Sequence, residues 1–335
     1  MTRNAKGRKA NLPNGSRSVA VPSGAIRIVF DKPQKGLLCF AAMCEEKPID
    51  ILRGRRVGLV LSAGFFGFFH HAGVVSALEE AGVTACRITG NSAGALIGGM
   101  LASGMSPAEI QRALFSLKRR DFWDLHVPVG PGGLSLLAGH RLQALLGRTL
   151  CVHSFEACPV PLTVGVYHID TGRMAYIDQG SLIKGVYASL AIPYLFPPEV
   201  IDGQRYWDGG FAEKTPLVPY LDHDDVDIIL VSYLPQRRKR TNRDGILGFL
   251  PPLSALFADV PYEERTARDR ASLEALEKAG KQVYFLAPTH LPLGPFSMEK
   301  GRQAFEQGYT GTQALLNKPQ SAWQAPWAES TKERP

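Results

Sequence analysis

Gly90-Asn91-Ser92-Ala93-Gly94 is the stretch from which the rest of the chain is read. It has the form G-x-S-x-G. Ahead of it, Ala85-Cys86-Arg87-Ile88-Thr89 is short and partly β-branched, and reads as a strand. Behind it, Ala93 to Ser103 is rich in Ala, Leu, Ile and Met and reads as a helix, with small residues that suit close packing on a sheet. A serine on such a strand-to-helix bend presents its Oγ, and flanking glycines avoid a Cβ collision across the bend. The helix behind it turns its unpaired N–H groups and positive dipole end toward any anion that forms beside the serine. Gly/Ser turns of this length also arise by chance, so the motif is a hypothesis that its surroundings must support.

Working outward, Val57-Gly58-Leu59-Val60-Leu61 is a continuous apolar run of the kind covered on both faces in a parallel sheet. It enters Ser62-Ala63-Gly64-Phe65-Phe66-Gly67, and a helix is expected from about His70 to Glu80. Ser106-Pro107-Ala108-Glu109 has the capping-box form and begins a helix ending near Lys118. Two strand–turn–helix units in succession predict an α/β fold of three layers, α/β/α, around a mainly parallel central sheet. Further along, strands are expected at 162–168 and 174–177, joined by Asp170-Thr171-Gly172, and helices over about 140–148 and 182–189. Glu199-Val200-Ile201 and Arg205-Tyr206-Trp207 are strand-like and flank an Asp202-Gly203 turn; the second ends at Asp208-Gly209-Gly210. A strand over 227–233, a helix over 263–279, a strand over 282–286 and a helix over 301–316 complete the pattern.

Hydrophobic residues make up 45% of the 335 and charged residues 21%, which is ample for a core. The formal charge is +7, and much of the excess is local, in Arg3 to Arg17 and in Arg237-Arg238-Lys239-Arg240. Such clusters suit anionic surfaces, although most charge runs are only solvated. The odd number of cysteines (Cys39, Cys44, Cys86, Cys151, Cys158) at spacings that match no zinc pattern predicts reduced thiols. No apolar run approaches the ~20 residues of a spanning helix. Residues 1–24 are expected to form a disordered basic tail, 25–55 an extension of unassigned role, 56–318 the main domain and 319–335 a loose polar tail.

Three segments then fall in order: the glycine-bearing turn at Ser62 to Gly67, the serine bend, and Asp208-Gly209-Gly210. This order resembles the patatin-like phospholipases. Ala188-Ser189-Leu190-Ala191-Ile192-Pro193 with Phe196-Pro197-Pro198 is similar to the family's run before its aspartate. The resemblance covers residues 56–318 and implies a Ser–Asp dyad, with Ser92 as nucleophile and Asp208 as base. It further implies an oxyanion hole from the Gly64, Phe65, Phe66 and Gly67 turn joined by the Ala93 amide. Gly90, Gly94, Gly209 and Gly210 are its structural glycines. One departure stands out: the family's usual Gly-Gly-Gly-x-Arg-Gly is replaced by Ala63-Gly64-Phe65-Phe66-Gly67-Phe68, without the arginine.

The expected activity is hydrolysis of carboxylic ester bonds in phospholipids or related lipids through an acyl-enzyme, with no cofactor and no metal. A catalytically inactive lipid-binding protein of the same fold, and a non-lipid esterase or thioesterase, are the alternatives. A Ser–acid–His triad would draw on His223 or His290; of His70 and His71 at the start of the helix, the resemblance implies packing or hydrogen bonding for His71. The G-x-G-x-x-G fingerprint of dinucleotide binding is incomplete. A cytoplasmic setting is expected, with peripheral contact to the inner face of an anionic membrane. Arg237–Arg240 and the apolar stretch Gly245 to Phe257 are the candidate contact, and a buried helical hairpin with a solvated basic loop is the competing reading. No nucleic-acid partner is expected.

Overall fold

The computed structural model describes residues 48–125, 135–235, 262–289, 293–294 and 297–327. The expectations for residues 1–47, for 237–240 and 245–257 and for His290 lie outside them.

A short helix α1 (Pro48–Leu52) leads into β1 (Val57–Leu61), buried along its whole length. Helix α2 (Phe68–Glu80) follows and begins two residues before the expected His70, because Phe68 and Phe69 are themselves buried in its first turn. Then come β2 (Ala85–Gly90) and α3 (Ala93–Ala102). Helix α4 (Pro107–Ser116) opens on a formed capping box, in which the Glu109 N–H donates to Ser106 Oγ and the Glu109 carboxylate accepts the Ser106 N–H.

Helix α5 (His140–Thr149) precedes the hairpin of β3 (Leu162–His168) and β4 (Arg173–Ile177), and α6 (Leu182–Leu190) comes next. Strands β5 (Glu199–Ile201) and β6 (Gln204–Asp208) turn through Asp202 and Gly203, both at positive φ (50° and 77°), the backbone of a two-residue hairpin. The remainder is β7 (Ile228–Ser232), α7 (Tyr262–Lys278), β8 (Gln282–Leu286) and α8 (Gly301–Leu316).

The eight strands form one sheet in the order β5-β6-β3-β2-β1-β7-β8, with β4 paired to β3. Strands β3, β2, β1, β7 and β8 run parallel, while β4 and β6 pair with β3 antiparallel. Side chains alternate between the two faces, as the pleat requires. Leu59, Leu61, Ile228 and Leu230 enter the core that holds α2, α3, α4, α6 and α8. Val60, Ile229 and Val231 enter a second core, beneath α7 with Tyr220 and Trp327. The sheet is thus covered on both faces, and the expected three layers are present.

The segment after Lys318 departs from the expected loose tail over its described residues. Trp323 is buried, its Nε1–H donates to Leu315 O at 2.8 Å, and its carbonyl accepts the Phe285 N–H at 2.9 Å. Trp327 packs edge-on against Phe285, with ring centroids 5.2 Å apart. Polar composition hid this, because two indoles bury enough apolar area to hold a short segment whatever lies between them.

Candidate active site

Parallel pairing of β1 with β2 sets Leu61 opposite Gly90, so the turn that leaves β1 and the bend that leaves β2 emerge side by side at the carboxyl ends of the strands. Strand β3 joins them through Val164 opposite Gly90, and β6 runs back along β3 with Asp208 opposite Val166. Sheet topology therefore brings Ser92 and Asp208 together. Ser92 Oγ–H donates to Asp208 Oδ2 at 2.6 Å, and both residues are buried.

Ser92 holds φ 53° and ψ −120°, outside the regions an L-residue prefers. Such a conformation costs on the order of 1–3 kcal/mol and persists only where its surroundings over-determine it. They do so here. A Cβ on Gly94 would lie 2.0 Å from Leu61 O, so the helix start sits directly on the end of β1. Asn91 N–H donates to Leu61 O at 3.2 Å, and Asn91 Nδ2 donates to Glu213 O at 2.8 Å. Ser92 N–H donates to Ser189 Oγ at 3.0 Å, and Ser189 Oγ–H donates to Gly165 O at 2.7 Å.

The same end of α6 also holds the main chain of Asp208. Asp208 N–H donates to Ala191 O at 2.9 Å. Gly209 lies so close to β3 that a Cβ there would sit 2.4 Å from Gly165 O. Gly210 N–H donates to Asp208 Oδ1 at 2.7 Å, and Arg265 Nη1 of α7 donates to Gly210 O at 3.1 Å. Burial pushes the Asp208 carboxyl up to about 7. The Ser92 and Gly210 hydrogen bonds and the Arg265 charge oppose that rise.

In the turn after β1, Gly67 N–H closes back on Gly64 O at 2.9 Å, with Phe66 at φ 55°. Ala63 N–H donates to Lys214 O at 2.8 Å. A Cβ on Gly67 would meet Leu234 Cδ1 at 2.1 Å, so Leu234 fills the space beside the position where the family's arginine would start. His71 braces the base of the turn. Its Nε2 lies 2.8 Å from Ser62 O, which can only accept, so Nε2 carries the proton and Nδ1 accepts from Ser232 Oγ–H at 2.8 Å. His70 is likewise buried in α2, and His223 is bound up with Asp225 at 3.7 Å. Neither histidine is among the residues that contact Ser92 or Asp208 by hydrogen bond in the described residues.

Behind Asp208-Gly209-Gly210 lies a buried polar cluster. Asp269 of α7 accepts the Lys214 and Thr215 N–H groups, each at 3.1 Å, and Thr215 Oγ1–H at 2.7 Å. Glu213 accepts Tyr176 O–H at 2.5 Å and Ser272 O–H at 3.2 Å. The Lys214 ammonium donates to Leu234 O and lies 4.2 Å from the centre of the Tyr233 ring. Burial pushes Glu213 up to about 7 and Asp269 up to about 6, and pulls Lys214 down to about 7. Sequence reasoning missed Arg265 and Asp269, because they lie in a helix so rich in charge that no single residue stands out. Ser189 offered a signal, a serine inside an otherwise apolar run before the aspartate, without a role attached to it.

Ser92 opens onto a cleft enclosing about 690 Å³, part of it open to solvent. Gly64, Phe65, Phe66 and Phe68 line it from the turn after β1 and the start of α2, and Ala93, Leu96, Leu190 and Ile192 from α3 and the end of α6. Apart from Ser92, every described residue lining it is apolar or glycine. Ala93, the first residue of α3, carries one of the N–H groups that a helix leaves without an intrahelical partner. Among the described residues no cluster of His, Cys, Asp and Glu has the makings of a metal site, and no helix is long and apolar enough to cross a membrane.

Residues 59–220 match the family model described as Patatin-like phospholipase. Lysophospholipase nte1 of Aspergillus terreus is 25% identical over 298 residues, which are 84% of this chain and 19% of the fungal protein. An uncharacterised NTE family protein of Mycobacterium tuberculosis is 29% identical over 164 residues, 49% of this chain and 45% of that protein. The chain thus spans about a fifth of the length of the fungal relatives it matches. Among solved structures, VipD of Legionella pneumophila aligns with a TM-score of 0.46 and 15% identity over 79% of this chain and 67% of that one. ExoU in its complex with SpcU from Pseudomonas aeruginosa aligns with a TM-score of 0.40 and 18% identity, over 81% of this chain and 52% of that one.

Proposed function

We propose, from the match of residues 59–220 to the Patatin-like phospholipase model, that the chain is a serine acyl hydrolase of phospholipids or related lipid esters, working through a Ser92–Asp208 dyad. The observation that carries this reading is the 2.6 Å contact between Ser92 Oγ and Asp208 Oδ2 at the edge of an apolar cleft.

In this mechanism Ser92 Oγ attacks the ester carbonyl while its proton passes to Asp208. The elevated proton affinity of the buried carboxyl suits it to accept that proton near neutral pH. Negative charge collects on the former carbonyl oxygen. The amides of Gly64, Phe65 and Phe66 and the Ala93 N–H receive it, each such donor contributing about 3 kcal/mol to the barrier reduction. Because Ser92 N–H is committed to Ser189 and Gly67 N–H to Gly64 O, neither is among those donors, and the expected Gly67 contribution falls away. Collapse of the tetrahedral species breaks the bond to the leaving alcohol, which takes the proton from Asp208, and leaves an ester on Ser92. Water, deprotonated by Asp208, then attacks the acyl-enzyme; the bond to Ser92 Oγ breaks, Oγ takes the proton back from Asp208, and the carboxylic acid leaves. The apolar cleft is the place for the acyl chain, since burying its methylenes is favourable by about 0.8 kcal/mol each.

The test is labelling with a fluorophosphonate, read by peptide mass spectrometry, on the wild type, Ser92→Ala, Asp208→Asn and His290→Ala. Labelling at Ser92 that is lost in Asp208→Asn and kept in His290→Ala supports the dyad. Loss in His290→Ala would replace it with a triad. An unlabelled but folded wild type would replace the enzyme with a lipid-binding protein.

A further inference from the structure

Among the described residues, the large apolar side chains left most exposed are Phe65 (45%), Leu125 (82%), Leu136 (46%), Tyr194 (38%) and Val200 (50%). All but Val200 line the Ser92 cleft or lie within two residues of a residue that does. Phe65 is part of its wall, Leu125 lies two residues from the wall residue Trp123, and Leu136 and Tyr194 directly precede the wall residues Leu137 and Leu195. Backbone pairing holds these segments side by side. A bridge joins Leu125 to Leu137, Leu136 N–H donates to Tyr194 O at 3.0 Å, and Leu137 N–H donates to Leu195 O at 2.9 Å. Tyr194 stands at φ 63°, a conformation that glycine adopts freely and an aromatic residue does not. An exposed ring is therefore kept at the rim against the local backbone preference, with Trp207 beside it at 5.9 Å between centroids.

The rim is flanked by positive charge. Lys118, Arg119 and Arg120 form an exposed run that leads directly into Phe122 and Trp123 of the cleft wall. Arg141 ties that run down, its Nη1 donating to Arg120 O at 2.9 Å and to Trp123 O at 3.3 Å. The Asp121 and Asp124 carboxylates turn to main-chain amides. Asp121 accepts the Lys118 N–H at 2.7 Å, and Asp124 accepts those of Gly139 and Arg141, each at 3.0 Å.

We propose that this rim is a docking surface for an anionic lipid layer. Leu125, Leu136 and Tyr194 enter the hydrocarbon boundary while Lys118 and Arg120 meet the headgroups. The rim residues adjoin residues that line the apolar cleft, so a chain leaving the layer would have a short path from hydrocarbon to cleft. A protein seated on the same rim would instead close that route. The inference rests on the reading of the cleft as an acyl-chain site.

The experiment is co-sedimentation of the full chain with phosphatidylcholine vesicles, with and without phosphatidylserine, alongside hydrolysis of soluble p-nitrophenyl butyrate. Two variants are compared with the wild type, Leu125→Ser/Leu136→Ser/Tyr194→Gly and Lys118→Ser/Arg120→Ser. None of the five residues lines the cleft, and Tyr194→Gly relieves the backbone rather than straining it. The apolar variant is expected to lower partitioning to both kinds of vesicle by about tenfold or more. The charge variant is expected to lower it by about tenfold or more only where phosphatidylserine is present. Both should hydrolyse the soluble ester at the wild-type rate. A wild type that binds neither vesicle, or variants that bind as the wild type does, would overturn the proposal. A wild type that binds vesicles in this pattern yet cleaves no ester would leave the surface standing and remove the hydrolase reading.

Discussion

Replacing Asp208 by asparagine should abolish acyl transfer and yet stabilise the fold, by an amount that depends on pH. The carboxyl is held at about 7 against an ordinary 3.8. Each unit corresponds to about 1.4 kcal/mol, so the buried anion opposes folding by about 4 kcal/mol once fully formed. The folded state holds this proton more tightly than the unfolded chain does. The penalty is therefore absent below about pH 3.8, grows as the pH rises through that value, and is complete above about 7. At pH 5 the wild type bears less than half of it, and at pH 8 all of it. Asparagine carries no charge, keeps a carbonyl to accept the Gly210 N–H, and can donate to Ser92 Oγ. Its advantage over the wild type should be larger at pH 8 than at pH 5 by about 3 kcal/mol, or roughly 5 °C in Tm for a chain of this size. Calorimetric melting of both proteins at the two pH values measures it. An offset that is the same at pH 5 and pH 8 would refute the argument that the buried charge dominates at this position.

Other expectations concern the groups around the dyad. The wild-type kcat/KM should fall about tenfold per pH unit below about 7 as Asp208 takes up its proton. Arg265→Gln, which removes the nearest charge opposing that uptake, should move this acidic limb upward in the pH–rate profile. Ser189→Ala leaves the Ser92 N–H and the Gly165 carbonyl without their shared partner. It should lower Tm and reduce kcat about tenfold with little change in KM, since the group lost positions the nucleophile and does not touch substrate. Gly94→Ala should prevent folding or abolish fluorophosphonate labelling, because its Cβ would lie 2.0 Å from a main-chain oxygen that has nowhere to move. Ser92→Gly should end activity while raising stability by about 1 kcal/mol, measured by urea unfolding, as the positive φ ceases to be a penalty.

What the sequence could convey about this site is what lies close together in the chain. The bend at Gly90 to Gly94 is legible because its strand, its turn and its helix are contiguous, and each has a composition that suits its conformation. The order of the three motifs along the chain is legible for the same reason. The link between Asp208 and Ser92, 116 residues apart, depends on β6 running back along β3, which periodicity does not reveal. Contacts such as His71 with Ser232, or Asp269 with Lys214 and Thr215, are harder still. They join a helix to a loop or strand distant in sequence, and a buried histidine or aspartate looks like any other until its neighbours are known. Trp323 and Trp327 teach the converse, that a polar stretch can be pinned by two large rings.

The end of α6 has one more consequence. Four successive residues alternate in what they touch: Ser189 holds the nucleophile's amide, Leu190 lines the cleft, Ala191 holds the amide of the base, and Ile192 lines the cleft again. The gauge of the cleft and the alignment of the dyad are thus written on opposite sides of one short ribbon. In the proposed reaction, an acyl chain too thick for the cleft would press on Leu190 and Ile192, and the displacement would be passed to both reacting groups. One too thin leaves the ribbon slack. If the proposed hydrolysis holds, discrimination among chains should register in the turnover of bound substrate more than in its affinity, the site being a caliper whose jaws are also its tools.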